Sequence, residues 1–110
     1  MRPIPRAMLP HSAALMQPTA DAFAAEVLAP IATLTRVRVE TLASETMTEE
    51  ETRVTQTALL LFDLRNSRPR GTAFAPGQRV AFEGVTYRVQ TVETLLENNR
   101  PHHVEVLLTT

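Results

Sequence analysis

The most regular feature of the sequence is an alternation of apolar and polar residues in its last third. It occurs in three runs, residues 76–82, 85–92 and 103–108. A period of two is typical of β-strands with one buried face, so each run predicts a strand. Glu83-Gly84 separates the first two runs and predicts a two-residue hairpin turn, because glycine adopts positive φ without steric cost. The mostly polar residues 96–101 predict a second turn.

Three further runs predict strands in the first two thirds of the chain, at residues 11–17, 31–41 and 53–64. Within the third of these, residues 58–62 are apolar at every position, which predicts a central strand covered on both faces. About six short strands with at most one short helix predict a mainly β fold, a small antiparallel barrel or sandwich. A barrel is favoured because closure leaves fewer free strand edges.

Residues 18–30 interrupt the strand pattern, and two structures remain open for them. Thr19 is a favourable N-cap, Asp21 would lie in the first helical turn, and alanines follow. Phe23 and Val27 would share one helix face at i, i+4 spacing. These features favour a short helix that packs on the sheet. A long hairpin loop is the alternative.

Two other segments lack strand periodicity. Residues 42–52, between the second and third predicted strands, are polar and acidic. They predict a long loop, with a capped helical turn starting at Thr46 or Thr48 as the alternative. Residues 1–10 contain three prolines, which do not fit a regular helix or a central strand. We therefore expect a single β-barrel domain over residues 1–110 that includes an extended N-terminal arm.

Composition excludes several classes of function. The chain has 110 residues, of which 44% are hydrophobic, and this suits one folded domain. It has no cysteine, so disulfides, thiolate catalysis and cysteine-ligated metal centres are impossible. The formal net charge of -1 argues against a general nucleic-acid binder held by phosphate contacts. No apolar run approaches the roughly 20 residues needed to span a bilayer, so we expect no membrane partner.

The titratable residues form no recognisable catalytic pattern. There is no nucleophile–base arrangement and no glycine-rich phosphate loop, since the chain has only three glycines. His102 and His103 are adjacent, but successive strand residues point to opposite faces, so we do not expect them to chelate one ion. The glutamates at 49–51 are typical of a solvated loop, and the arginines at 65, 68 and 70 of a solvated connector. The sequence predicts no enzyme, no cofactor and no metal site.

Four segments, in order along the chain, resemble one family of proteins. They are Arg-Pro-Ile-Pro at residues 2–5 followed by His11-Ser12, the strand 34–40, the hairpin 82–89 and the run 102–106. Together they resemble the minor capsid proteins of tailed phages and prophages, which are similar to head-completion proteins, also called stoppers or head–tail connectors. The resemblance covers nearly the whole chain. It is interrupted only in the segment before the second predicted strand, where family members usually carry an acidic, glycine-containing loop.

The resemblance implies a structural virion protein without enzymatic activity. Such proteins form a ring of small β-barrel subunits in the virion neck, after assembly in the host cytoplasm. The expected partners are further copies of this chain, the portal or adaptor protein on the head side, and the tail terminator or tail-tube protein on the tail side. Double-stranded DNA would lie in the channel of the ring without sequence-specific binding.

In the resembling proteins, the loop between strands 2 and 3 projects into the channel and helps to retain packaged DNA. The candidate channel loop of this chain comprises Thr46, Met47, Thr48, Glu49, Glu50 and Glu51. The candidate assembly arm comprises Arg2, Pro3, Ile4, Pro5, Arg6, Met8 and Leu9. An acidic loop that faces DNA repels it, which suits a gate or a seal better than a grip.

Two other functions remain open at this point. A tail-completion or tail-terminator protein would cap the tail tube, and it differs from a stopper because its partners are tail-tube subunits. A small barrel that binds oligonucleotides would need exposed aromatic side chains interleaved with basic residues. The chain has only four phenylalanines and one tyrosine, and we expect at least Phe62 and Phe82 in the core.

Overall fold

The computed structural model describes residues 3–47 and 52–110. Six β-strands account for most of them, and one turn of 3₁₀ helix, Arg6–Met8, precedes the first strand. The strands are β1 His11–Ala20, β2 Glu26–Met47, β3 Thr52–Asp63, β4 Arg79–Phe82, β5 Val85–Glu97 and β6 Arg100–Thr109. In this described part of the chain, no helix is long and apolar enough to cross a membrane.

The six strands form one antiparallel sheet that closes into a barrel in the order β1-β2-β3-β6-β5-β4. A short ladder between β1 and β4 makes the closure, with Ala14 opposite Ala81 and Met16 opposite Arg79. The prediction of a mainly β fold with about six antiparallel strands is confirmed. Closure removes the free edges that an open sheet of the same strands would expose.

Inward-facing residues of all six strands fill the barrel. Along β3, Ala58, Leu60 and Phe62 are at most 1% exposed, whereas Leu59 and Leu61 are only partly buried on the outer surface. β3 is therefore central in the sheet, between β2 and β6, but its outer face is not fully covered. The core consists of Ala13, Leu15, Leu34, Val37, Val39, Ala58, Leu60, Phe62, Val80, Phe82, Tyr87, Val89, Val104, Val106 and Leu108. Burial of this apolar surface is the main favourable contribution to folding.

Residues 18–30 form part of a β-hairpin, so the favoured prediction of a helix is wrong. β1 continues to Ala20 and β2 begins at Glu26, and residues on both sides of the turn pair across the hairpin, for example Thr19 with Val27. An isolated helix of two or three turns is marginally stable in water. Cross-strand pairing satisfies the same backbone groups and continues the sheet.

The segment 42–52, predicted as a long loop, is largely strand. β2 extends to Met47 and β3 begins at Thr52, and the ladder between them continues to these two residues. Threonine is β-branched and favours strands, so the repeated threonines of this segment suit a strand pair. Residues 48–51, which include four of the six candidate channel-loop residues, lie outside the described part of the chain.

The last two strands are longer than the sequence predicts. β5 extends to Glu97 and β6 begins at Arg100, so the turn predicted at 96–101 narrows to Asn98-Asn99. The two asparagines have φ of 51° and 61°. Positive φ at both central residues is the type I′ conformation, whose twist matches that of the flanking strands. The position of the turn is confirmed, and its length is shorter.

The N-terminal arm packs on the barrel. Leu9 is only 3% exposed, and Asn66 Nδ2 donates a hydrogen bond of 2.8 Å to the Ile4 carbonyl oxygen. The 3₁₀ turn is closed by backbone hydrogen bonds from Met8 to Pro5 and from Leu9 to Arg6. The arm is therefore anchored at two points, and residues 1 and 2 lie outside the described part of the chain.

Candidate functional site

Two hairpins extend past the barrel wall at opposite ends of β2. At one end only β1 pairs with β2, because the β1–β4 ladder stops at Met16. At the other end only β3 pairs with β2, because the β3–β6 ladder stops at Thr57. We call residues 17–30 the β1–β2 ribbon and residues 42–47 with 52–56 the β2–β3 ribbon. Neither strand pair has the neighbouring strands that bury the barrel wall, so each end is a candidate contact region.

The tip of the β1–β2 ribbon presents an apolar side chain on a fixed turn. Asp21 Oδ1 accepts hydrogen bonds from two backbone N–H groups of the turn, at 2.8 and 2.9 Å. Ala24 takes the left-handed conformation, with φ of 60°, and closes the turn. These constraints hold Phe23 at the tip, where it is 91% exposed. Val27 and Ile31 of β2 are exposed apolar residues as well.

This exposed surface is the feature that the sequence prediction missed. The helix prediction packs Phe23 and Val27 together against the sheet, whereas both side chains are exposed in the hairpin. A group of exposed large apolar side chains is a typical mark of a contact surface. The signal that indicates the hairpin is Asp21, because aspartate side chains readily accept hydrogen bonds from the backbone of a turn.

The base of the β2–β3 ribbon borders a shallow pocket at the other end of β2. The pocket has a volume of about 200 Å³ and lies between Leu42 of β2 and Val85 and Tyr87 of β5. Leu42 is 67% exposed at its rim, whereas Tyr87 is almost fully buried. His11 Nδ1 accepts a hydrogen bond of 3.0 Å from the backbone N–H of Val39, so this histidine joins β1 to β2. The lining of the pocket is mixed, since Thr41, Gln56 and Glu83 lie beside its apolar residues.

The candidate channel loop and the candidate assembly arm lie in different parts of the fold. Thr46 and Met47 are the last two residues of β2, next to the start of β3. The arm is bonded at Ile4 to Asn66, which follows the opposite end of β3. Of the arm, Met8 is 50% exposed. The described residues of the two segments therefore do not form one site.

His102 and His103 lie side by side, which corrects the prediction that they point to opposite faces. The cause is a β-bulge: Leu95 and Leu96 are consecutive on β5, but they pair with His103 and Pro101 on β6. His102 is the extra residue, and a bulge locally changes the direction of side chains. The two Nδ1 atoms are 2.8 Å apart. Pro101 is the sequence signal for this bulge, because proline within sheets is confined to edges and bulges.

The arginines singled out by the sequence, and the nearby Asp63, have structural roles or face solvent, while Glu49, Glu50 and Glu51 lie outside the described part of the chain. Arg68 donates hydrogen bonds to the carbonyl oxygens of Arg65 and Ser67, at 2.6 and 3.0 Å, while Arg65 and Arg70 are exposed. The buried Asp63 donates its backbone N–H to Ser67 Oγ at 2.8 Å. Over residues 3–47 and 52–110, no three histidine or acidic side chains are arranged to hold a metal ion.

The aromatic residues belong mainly to the core. Phe62, Phe82 and Tyr87 are buried, and Phe74 packs edge-on against Phe62 with ring centroids 5.4 Å apart. Phe23 is the remaining aromatic residue and the well-exposed one. A series of exposed aromatic rings, on which successive bases could stack, is therefore not present among the five.

The comparison with solved structures shows what this chain is similar to. A scan against protein-family models found no matching family, and a search of curated proteins found no match. Among solved structures, a similar chain occurs in the virion of a native gene transfer agent (GTA) particle. The TM-score is 0.59 and the sequence identity is 17%, over 90% of this chain and 91% of that chain. At this identity the similarity establishes a shared fold, and it extends over nearly the full length of both chains.

Proposed function

We propose that the protein is a structural subunit of a tailed-phage-type virion, a head-completion or stopper protein that forms a ring in the neck. The observation that carries this proposal is the fold shared with a chain of the GTA virion over 90% of this chain and 91% of that one. The sequence segments that resemble phage minor capsid proteins support the same class. The protein would join head to tail by contacts alone, without catalysis or a cofactor.

The β1–β2 ribbon supports the proposed ring. In a closed ring, each subunit contacts the next one through a surface that differs from the surface facing the previous one. Phe23, Val27 and Ile31 are 91%, 44% and 47% exposed and provide an apolar surface on a projecting hairpin. Burial of one phenylalanine side chain contributes about 2 kcal/mol. The ribbon would thus dock on a neighbouring subunit, and the exposed Met8 of the arm is available for the portal or adaptor side.

The β2–β3 ribbon supplies the channel element in this proposal. Its sequence leads into Glu49, Glu50 and Glu51, and a ring repeats this charge once per subunit. Negative charge close to DNA is unfavourable, so such a segment repels the duplex from the ring wall and makes no sequence-specific contact with it. Thr46 to Glu51 would act as a gate or seal behind the packaged DNA.

The alternative of an oligonucleotide-binding barrel has less support. Stacking of successive bases needs several exposed aromatic side chains, and four of the five aromatic residues are buried or partly buried. The formal net charge of -1 also gives little attraction for phosphates.

Imaging of particles from a strain that lacks this gene tests the proposal. We expect heads that package DNA, fail to join tails and then lose their contents, because the neck has neither its seal nor its joint. Filled and tailed particles in that strain contradict the proposal. A pull-down then separates the stopper from the tail terminator: the purified protein should bind the portal or adaptor protein. If only tail-tube subunits capture the protein, it is a tail terminator and not a stopper.

A further inference from the structure

Two pairs of like charges lie directly opposite each other on neighbouring strands of the barrel. Arg79 of β4 is paired with Arg88 of β5, and Glu93 of β5 is paired with Glu105 of β6. Side chains that are directly opposite have Cβ atoms about 5 Å apart, and like charges at this distance destabilise the strand pair. The isolated chain therefore carries one unfavourable arginine pair and one unfavourable glutamate pair.

Both pairs face outward. Val80 and Val89, the sequence neighbours of the two arginines, are buried in the core, and successive strand residues point to opposite faces. Val104 and Val106, on either side of Glu105, are buried in the same way, and the glutamate directly opposite shares its outward face. The four charged side chains are therefore presented to a partner and not to the interior.

One member of each pair has a polar partner within the chain. Arg79 Nη2 lies 3.2 Å from Glu26 Oε1, and Arg79 Nη1 donates a hydrogen bond to the Gly77 carbonyl oxygen. Glu105 Oε1 lies 3.4 Å from His103 Nε2. These contacts hold the two side chains in place, but they leave the other member of each like-charge pair uncompensated.

Arg88 and Glu93 are the uncompensated members. Both are exposed, and neither has a hydrogen-bonding or ionic side-chain partner in the described part of the chain. Arg88 borders a pocket of about 330 Å³, so there is room beside it for a side chain of another molecule. A carboxylate that enters there would receive charge-assisted hydrogen bonds from the guanidinium.

Apolar residues adjoin each pair on the same outer face. Leu59 and Leu107 lie opposite each other, and Leu107 comes two positions after the glutamate of β6. Ala14 and Ala81 lie opposite each other, and Ala81 comes two positions after the arginine of β4. The glutamate surface thus has bulky apolar side chains and the arginine surface has small ones, so the two surfaces are complementary in side-chain size as well as in charge.

We propose that the arginine pair of one copy of this chain docks on the glutamate pair of the next copy, with Arg88 facing Glu93. The inference rests on the proposed ring, and it names the contact between neighbouring subunits. Two different surfaces meet, so the contact is heterologous and repeats from copy to copy. The next copy also provides the outer cover that the apolar run at 58–62 predicts for β3.

Charge reversal in the full chain tests this contact. Variants are expressed in a strain that lacks the gene, and immunoblots measure their amount in purified particles. Arg88→Glu and Glu93→Arg each place like charges together at the contact and should reduce incorporation at least about fivefold. The double variant keeps the net charge of -1 and restores opposite charges at the contact. Its incorporation should return to within about twofold of the wild type.

Thermal melts separate this effect from misfolding. Each single substitution puts opposite charges across a strand pair of its own chain, so neither should lower the melting temperature. Arg70→Glu is the matched control, because it changes the net charge as Arg88→Glu does, at an exposed position of the connector. It should enter particles at the wild-type level.

Three results would overturn the proposed contact: wild-type incorporation of both single variants, an equal loss in Arg70→Glu, or a folded double variant that does no better than the single ones. Absence of the wild-type chain from particles would instead refute the proposed role in the virion. Sedimentation of the purified chain then decides on the contact, and a chain that stays monomeric at about 1 mM overturns it as well.

Discussion

The two ends of β2 differ in chemistry. Toward its start, the β1–β2 ribbon ends in Phe23, held on a turn by Asp21. Toward its end, the strand leads into the three glutamates at 49–51. One strand of 22 residues thus leads from the exposed Phe23 turn to an acidic stretch of sequence. In the proposed function, the first contacts a neighbouring subunit and the second repels DNA. Between these two ends, the inward-facing residues of β2 belong to the apolar core of the barrel. We therefore expect the functional residues where the strands extend beyond the barrel.

The substitution Phe23→Ser, at the apolar end of β2, is expected to have the largest effect on assembly. Loss of a buried contact worth about 2 kcal/mol at each subunit boundary should reduce incorporation of the protein into particles at least tenfold. The melting temperature should change by no more than about 1 °C, because exposed substitutions have small effects on stability. Immunoblots of purified particles and thermal melts provide the two measurements.

Leu42→Ser is the matched control for that variant. Leu42 is also an exposed apolar residue of β2, at 67%, but it lies at the opposite end of the strand. Its substitution should leave incorporation near the wild-type level. An equal loss of incorporation in both variants would mean that the two ends of β2 do not differ in their role in assembly.

A smaller effect is expected from neutralising the acidic end. Glu49→Gln with Glu50→Gln changes the formal net charge from -1 to +1. Duplex DNA should then bind about threefold more tightly at low salt, and the gain should shrink as salt screens the charges. Fluorescence anisotropy at two salt concentrations measures this affinity for DNA. Glu93→Gln with Glu97→Gln, on the β5–β6 hairpin, changes the net charge of the chain by the same amount. An equal gain in DNA affinity in that variant would mean that net charge alone causes the effect.

The smallest effect concerns the turn that presents Phe23. Asp21→Ala removes the acceptor of two backbone hydrogen bonds and should lower the melting temperature by about 2–5 °C. Asp21→Asn retains an acceptor oxygen and should lie between the alanine variant and the wild type. Amide exchange at residue 23 should accelerate in Asp21→Ala. Unchanged exchange in Asp21→Ala would mean that the turn forms without this side chain.

Alternation predicted the barrel wall because local sequence and sheet burial agree there. In β3, Ala58, Leu60 and Phe62 point inward, and Leu59 and Leu61 between them lie on the outer surface, as the period of two requires. The Glu83-Gly84 connection is equally local, and both residues have positive φ. The structure at such positions can be predicted from the local sequence, without information about a partner strand.

The prediction was wrong where a partner strand overrides local preference. Alanines after Asp21 favour a helix by intrinsic propensity, but pairing with β1 continues the sheet through this segment. At His102, the alternation rule assumes an unbroken ladder, and the bulge opposite Leu95 and Leu96 invalidates it. Register is a property of two strands, so neither outcome can be derived from one segment alone.

The most direct test of the proposed stopper role is DNA retention by heads that carry a shortened β2–β3 ribbon. Deletion of residues 46–51 leaves two residues, Thr52 and Arg53, between the paired Glu45 and Val54. Thr52→Asn and Arg53→Gly then supply the Asn-Gly turn that suits a two-residue hairpin. The variant should fold, with a melting temperature within about 2 °C of the wild type, and enter particles normally.

Quantification of packaged DNA in these particles, relative to capsid protein, is the deciding measurement. Loss of most of the DNA from heads that contain normal amounts of the variant is the predicted result. Normal DNA retention in such heads would contradict the assignment of the β2–β3 ribbon as the seal of the channel.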